Sequence, residues 1–351
     1  AYWLGCFAAG LGVITKGVGV LALLMFVPYL FARWRGWEGV TRTTASAGRW
    51  LAGPLAFLIA IGLWIVPMLW IAHARGTAEY ANYVRDILFH QTAGRYAHSW
   101  DHYHSALYYV PIVLFSWFPL SLAYAGTVPR WRRALRDHDA RILLPLAWVV
   151  LLIVFFCIPR GKRDVYLMPA LPMLALATAP YLEEMIRTRW MRIAAFTITL
   201  GAGIVLLALA ASAYFGHSLL PNPELRSLPP AGSTEWGIVM AIGAAMLGAG
   251  AWFRVRRGVH GVFAWMAALW LIWGLWGYPA FNAANSAAGV MQRTNEIIGP
   301  DAELGMVAWK EQNYLMAGRP VHDFGFLAPW PVQFAAAVRW LDDAPQRRWI
   351  F

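Results

Sequence analysis

Six consecutive residues, Pro159-Arg160-Gly161-Lys162-Arg163-Asp164, set three cations and one acid between two long apolar runs. Arginine presents a planar fork of donors, lysine a compact point charge, and glycine lets the backbone approach a ligand closely. Those types suit a phosphate held at the edge of an apolar layer. A second reading stays open: short basic connections also occur without a ligand, their stems lying along apolar surface and their heads in water. Lys16, within Thr15-Lys16-Gly17, adds a further cation between two apolar segments. The polar stretch 73–105 contains His90-Gln91-Thr92-Ala93-Gly94-Arg95-Tyr96, then His98, Asp101, His102 and His104. His90 and Asp101 are candidates for proton transfer, and Arg95 can hold a phosphate or a sugar hydroxyl. An interfacial hydrogen bond is the ordinary use of each of these histidines. No H-E-x-x-H pattern is present and an i, i+2 spacing belongs to a loop or strand, so no metal is assigned. The chain has no P-loop, no G-x-S-x-G, no C-x-x-C and no GxGxxG after a strand, which leaves nucleotide hydrolysis, serine hydrolysis and dinucleotide binding without support.

The elements that must position these residues are not those of a soluble domain. Of 351 residues, 60% are hydrophobic and 13% charged, against about 25% charged in soluble domains, and the mean hydropathy is +0.49. The 21 Trp, 18 Phe and 14 Tyr lie in apolar runs without heptad or Gly-X-Y period, which excludes disorder, coiled coil and collagen. A membrane-spanning helix takes about 20 apolar residues. Nine apolar segments qualify or nearly so: 1–14, 18–32, 50–72, 106–126, 142–158, 165–182, 193–213, 236–253 and 259–281. The expected fold is therefore an all-α polytopic membrane protein of about nine helices with a small C-terminal αβ tail. Residues 1–281 form the membrane helix bundle and 282–351 a separate domain, with a strand at Leu304–Trp309 and a helix at Val332–Leu341. Tyr108, Tyr109 and Trp117 read as an aromatic interface belt. Gly243 to Gly250 forms a small-residue face suited to close helix packing. Cys6 and Cys157, each inside an apolar run, read as buried thiols.

Charge orients the bundle. Connections 33–49, 127–141, 183–192 and 254–258 hold 15 of the 29 basic residues and five of the 18 acids, and so are expected in the cytoplasm. The alternation places 73–105, 159–164, 214–235, Lys16 and the tail outside. The net charge of +11 is then a matter of topology and anionic lipid headgroups, and nucleic acid is not implied. Against that rule, 159–164 puts three cations on the side that otherwise avoids positive excess. The chain opens inside an apolar segment at Ala1-Tyr2-Trp3-Leu4-Gly5 without an initiator Met, and it is expected to be a fragment.

Two stretches resemble a known family. Gly10-Leu11-Gly12-Val13-Ile14-Thr15-Lys16-Gly17 resembles the GLxxLTKG stretch of membrane glycosyltransferases that use polyprenyl-phosphate sugars. That C-type family includes bacterial relatives of dolichyl-phosphate-mannose protein mannosyltransferase and the aminoarabinose transferase of lipid A. Gly161-Lys162-Arg163-Asp164-Val165-Tyr166-Leu167-Met168-Pro169-Ala170-Leu171-Pro172 closely resembles its GKRxxYLxPxxP outer loop and helix start. His90 to Tyr96, followed by Tyr108-Tyr109 and Pro119, resembles its large outer loop, and Tyr278-Pro279 and Arg319-Pro320 fit its C-terminal region more loosely. The resemblance implies a bacterial inner-membrane enzyme with a periplasmic C-terminal domain. It implies that Lys16, Lys162 and Arg163 lie near the donor's lipid phosphate, with Tyr166 beside them, and that His90, Arg95 and Tyr96 belong to a donor or acceptor loop. Arg160 joins the phosphate set on charge alone. The family's catalytic acid lies in an early outer loop that has no counterpart here, so the general base is expected upstream of Ala1, with His90 and Asp101 the candidates on this chain.

The implied reaction is inverting transfer of a sugar from a polyprenyl-phosphate donor, such as an undecaprenyl-phosphate sugar, to an acceptor lipid, protein or glycan. Cations neutralise charge developing on the leaving phosphate, which needs little protonation and no divalent metal. No cofactor is expected, because the lipid-linked sugar is a substrate. Two alternatives remain: a polyprenyl-phosphate glycolipid transporter or flippase, which calls for ionisable groups deep in the spans, and an O-antigen ligase or polymerase.

Overall fold

The computed structural model describes residues 1–40, 46–89, 104–159, 161–216, 229–326 and 328–351. His90, Arg95, Tyr96, Asp101 and Arg160 lie outside the described residues, as do His98 and His102. The chain forms two compact units, Ala1–Met191 and Arg192–Phe351, and the compositional boundary at 281/282 falls inside the second.

In the first unit, α1 (Tyr2–Thr15) stops at Lys16, whose backbone is extended. A 3-10 segment, Gly17–Met25, then runs into α2 (Phe26–Arg35). Gly36 ends α2 in the left-handed region, at φ 69°, and returns its N–H to the Ala32 and Arg33 carbonyls. Next come α3 (Ala47–Arg75), α4 (Ala78–Arg85), α5 (Tyr109–Ser116), α6 (Tyr124–Arg136), α7 (Ala140–Cys157) and α8 (Ala170–Arg187). On α3, Leu55, Leu58, Leu63, Val66 and Trp70 are all 60% or more exposed, an arrangement suited to lipid tails, which are as apolar as leucine. Inside the unit, Trp148, Leu152 and Phe156 of α7 pack with Leu167 and with Ala170, Leu174 and Ala177 of α8. Buried indoles need a partner for their N–H: Trp131 donates to the Ala177 carbonyl at 2.8 Å and Trp148 to the Leu21 carbonyl at 2.9 Å.

Helical structure stands on all nine apolar segments, and the chain is a polytopic all-α membrane protein. Among the described residues, six helices are long and apolar enough to cross a bilayer unaided: Gly17–Arg35, Gly48–Arg75, Ala140–Cys157, Arg189–Tyr214, Thr234–Phe253 and Val255–Asn282. Segment 106–126, whose Pro111 and Pro119 are expected from the sequence to kink or cap the span, is sharply bent. It breaks before Leu120, and the pieces on either side meet at 88°, because Pro119 lacks a backbone N–H and its ring clashes with the preceding turn. Residues 127–141, expected as a connection, are helical as far as Arg136. The helix is amphipathic: Gly126, Thr127 and Trp131 are buried while Arg132 and Arg133 face outward. Tyr109, expected in an interface belt, is 2% exposed and part of the core.

Contacts between connections group them by side. Glu38 exchanges backbone hydrogen bonds with His138 and Ala140, and Arg130 pairs with Glu184. At the opposite ends of these helices, Lys162 reaches His104 and Lys16 lies over Tyr166. Each contact joins stretches that the arginine count assigns to one side, so the bent α5–α6 segment carries the chain from one group to the other.

The second unit contains α9 (Arg189–Tyr214), α10 (Thr234–Phe253), α11 (Gly258–Ile272) and α12 (Tyr278–Asn285). Ile238, Ile242 and Met246 of α10 bury against Leu206, Trp265 and Leu269. A Cβ on Gly243 would stand 2.9 Å from the Leu207 nitrogen, so the small residue is what lets α9 and α10 approach. The tail adds α13 (Ala288–Ile298), β1 (Glu303–Met306), α14 (Glu311–Leu315), β2 (Val321–Asp323), α15 (Trp330–Asp342) and β3 (Arg348–Ile350). The strands form a parallel sheet of order β2-β1-β3, with Leu304 opposite Val321 and Trp349. Leu304 and Met306 bury against Ala287, Met291 and Ala317.

Candidate functional site

Two chain reversals in the first unit bring the outer cations together. The first is at Lys16. A Cβ on Gly19 would lie 2.2 Å from the Gly12 carbonyl carbon, so only glycine lets the 3-10 segment fold back on α1 with Lys16 at the tip. The hydrogen bond from Trp148 to Leu21 then fixes that segment to α7, and such a buried bond is worth about 1 kcal/mol net. The second reversal runs from Cys157 to Ala170. Asp164 accepts from the Val165 N–H at 2.8 Å and opens a single 3-10 turn, Asp164–Leu167. Leu167, fully buried, pins the turn to the core.

Tyr166 projects from that turn and stacks on Phe156, ring centroids 5.2 Å apart. The Lys16 Nζ lies 5.6 Å from the Tyr166 centroid, within range of the ring's negative face. Arg163, immediately before the turn, is exposed. Lys162 differs from both. It is 3% exposed, and its Nζ donates to the Pro159 carbonyl at 2.6 Å and to the His104 carbonyl at 3.2 Å. The His104 ring stacks on Tyr108, centroids 4.1 Å apart, and Tyr108 meets Tyr109 edge-on. The Tyr109 hydroxyl is closed off from solvent and faces the Arg163 backbone.

The structure thus brings Lys16, Lys162, Arg163 and Tyr166 into one neighbourhood. Among the described residues no carboxylate forms an ion pair with any of the three cations, and the charge of the two exposed ones, Lys16 and Arg163, is left to attract an anion. Sequence reasoning missed the burial of Lys162 and the supporting roles of Phe156, Trp148 and Tyr109. An aromatic inside an apolar run carries no mark of which neighbour it meets. Arg319 serves the tail, donating to the Ala302 carbonyl at 2.9 Å and the Gly299 carbonyl at 2.7 Å.

No family model matches the chain. The undecaprenyl phosphate-alpha-4-amino-4-deoxy-L-arabinose arabinosyl transferase of Pseudomonas paraeruginosa is 31% identical over 215 residues, 59% of this chain and 35% of that protein. The enzyme of the same name from Serratia proteamaculans is 25% identical over 62% of this chain and 37% of its own length. The crystal structure of ArnT from Cupriavidus metallidurans bound to undecaprenyl phosphate superposes with a TM-score of 0.62 at 21% identity, covering 98% of this chain and 59% of that one. Its apo form gives a TM-score of 0.61. The chain spans about a third of the length of the curated relatives it matches. Over about 60% of its length this chain is similar in sequence to the undecaprenyl-phosphate aminoarabinose transferases, and over 98% of its length it shares the fold of the ArnT crystal structures.

Proposed function

We propose that this chain is part of a glycosyltransferase that moves a sugar, with inversion, from a polyprenyl-phosphate donor to an acceptor on the outer face of a bacterial inner membrane. The observation that carries the proposal is the meeting of Lys16 with Tyr166 beside the exposed Arg163, three positions from two separate stretches. The prenyl chain lies among the helices and the phosphate at the outer ends, where Lys16 and Arg163 face it and Tyr166 supports Lys16. An acceptor hydroxyl attacks the anomeric carbon, the carbon–oxygen bond to phosphate breaks, and polyprenyl phosphate leaves with the bonding electron pair. The cations stabilise the charge that develops on that phosphate. The acceptor's proton passes to a general base that no residue of this chain is assigned. The reaction as proposed uses no cofactor. The acceptor is lipid A, a protein or another glycan; lipid A is the one to try first, because the relatives are aminoarabinose transferases. The arginine-rich connections orient the molecule with 73–105, 159–164 and the tail in the periplasm.

The test is transfer from an undecaprenyl-phosphate-linked sugar in proteoliposomes of the complete protein. Lys16→Ala and Arg163→Ala are each expected to lower the rate about 10- to 1000-fold, comparable to losing an oxyanion donor. Wild-type turnover in both variants overturns the assignment.

A further inference from the structure

We infer that Lys162 is a positioning residue: its buried ammonium clamps the outer turn at 159–166 to the entry of α5 and does not itself contact the phosphate. The inference rests on the donor-site reading above for its setting, and on Lys162's own geometry for its content.

A lysine that binds a lipid phosphate has to present Nζ toward water or ligand. Lys162 is 3% exposed, while the cations nearby, Lys16 and Arg163, are exposed. A buried ammonium must find acceptors or it is strongly destabilising. Lys162 finds two, and both are backbone: Pro159, three residues back on its own turn, and His104, where the polar stretch 73–105 hands over to α5. The clamp therefore joins the outer turn to the start of α5, at residues 58 positions apart in sequence. What it holds is the series of touching rings His104, Tyr108 and Tyr109 on one side and Arg163 with Tyr166 on the other. With the clamp closed, Arg163 and Tyr166 keep a fixed place relative to the residues that enter α5. With it open, both segments lose their shared anchor.

The experiment compares Lys162→Gln, Lys162→Met and Lys16→Gln in the full chain in nanodiscs, with undecaprenyl phosphate as the probe. Hydrogen–deuterium exchange is read separately over 104–112, 159–168 and the span Ala140–Cys157. In Lys162→Met, exchange over 104–112 and 159–168 is expected to rise about tenfold or more with 140–157 unchanged, because the two charge-assisted hydrogen bonds that join the segments are gone. Lys162→Gln, which still offers an N–H to one carbonyl, recovers part of that protection. Undecaprenyl phosphate binding weakens less than about threefold in Lys162→Gln and about tenfold or more in Lys16→Gln. If Lys162→Met does not accumulate, Lys162→Gln against wild type carries the same exchange comparison. Unchanged exchange at both segments in the Lys162 variants overturns the clamp, as does a Lys162→Gln binding loss equal to that of Lys16→Gln. If wild type fails to bind undecaprenyl phosphate at all, the donor reading fails while the exchange comparison still decides the clamp.

Discussion

A single side chain can be tested for what it holds by taking its charge away with pH. Asp139 caps the N-terminus of α7, accepting from the Arg141 backbone N–H at 2.9 Å and pairing with its guanidinium at 2.9 Å. Those hydrogen bonds from Arg141 hold its carboxyl below the usual carboxylate range. A depressed value means that the folded state favours the ionised form. The contribution is complete above the ordinary aspartate range and is lost as pH falls through the lowered value. Asp139→Ala should therefore lower thermal stability at pH 7 by about 1 kcal/mol, the usual worth of such a cap. Followed by thermal unfolding in detergent, the difference between variant and wild type should shrink as the pH is taken below the carboxylate range. A gap of constant size would remove ionisation from the explanation. Lys162 teaches the complementary lesson. Its presence in a basic outer loop is plain from the sequence, but burial depends on where His104 comes to lie, and residues 58 positions apart do not announce that they meet.

At the level of helices and turns, the hairpin at Lys16 depends on Gly19 meeting Gly12 backbone to backbone. Gly19→Ala should cost about 1–3 kcal/mol by forcing these segments apart and should lower donor transfer by displacing Lys16. Gly248→Ala, with open space around it, should be neutral or slightly stabilising, since alanine is the better helix former. Equal melting temperatures for the two variants would refute this account of the turn. The spans themselves were legible because a run of apolar residues of bilayer length has few other uses. The break in segment 106–126 was legible as a kink or cap at Pro119 but not in its size, because composition continues smoothly across Trp117-Phe118-Pro119 and proline is tolerated in many membrane helices. Residues 127–136 misled for a related reason. Their arginines mark a membrane-side connection, and the same arginines form one face of a helix whose other face buries Trp131. In the tail, the strand at Leu304 and the helix near Val332 were readable from alternation and helical spacing, while the parallel pairing with β2 and β3 depends on partners that local pattern does not name.

In the first unit, the contacts between connections group them as the arginine count expects. Single cysteines placed at Ser105 and at Asp137, in a background lacking Cys6 and Cys157, should react with impermeant thiol reagents from opposite faces of sealed vesicles. Labelling of both from one face would mean that the bent α5–α6 segment re-enters without crossing. The joining of Glu38 to His138 and Ala140 carries a consequence for synthesis. Translation at about 5–20 residues per second separates the emergence of these partners by about 5–20 s. For that interval the N–H and C=O of Glu38 are served by water and headgroups. Helices α1 to α3 are thus delivered to the membrane with their inner edge unfinished, and that edge is sealed only when α7 arrives.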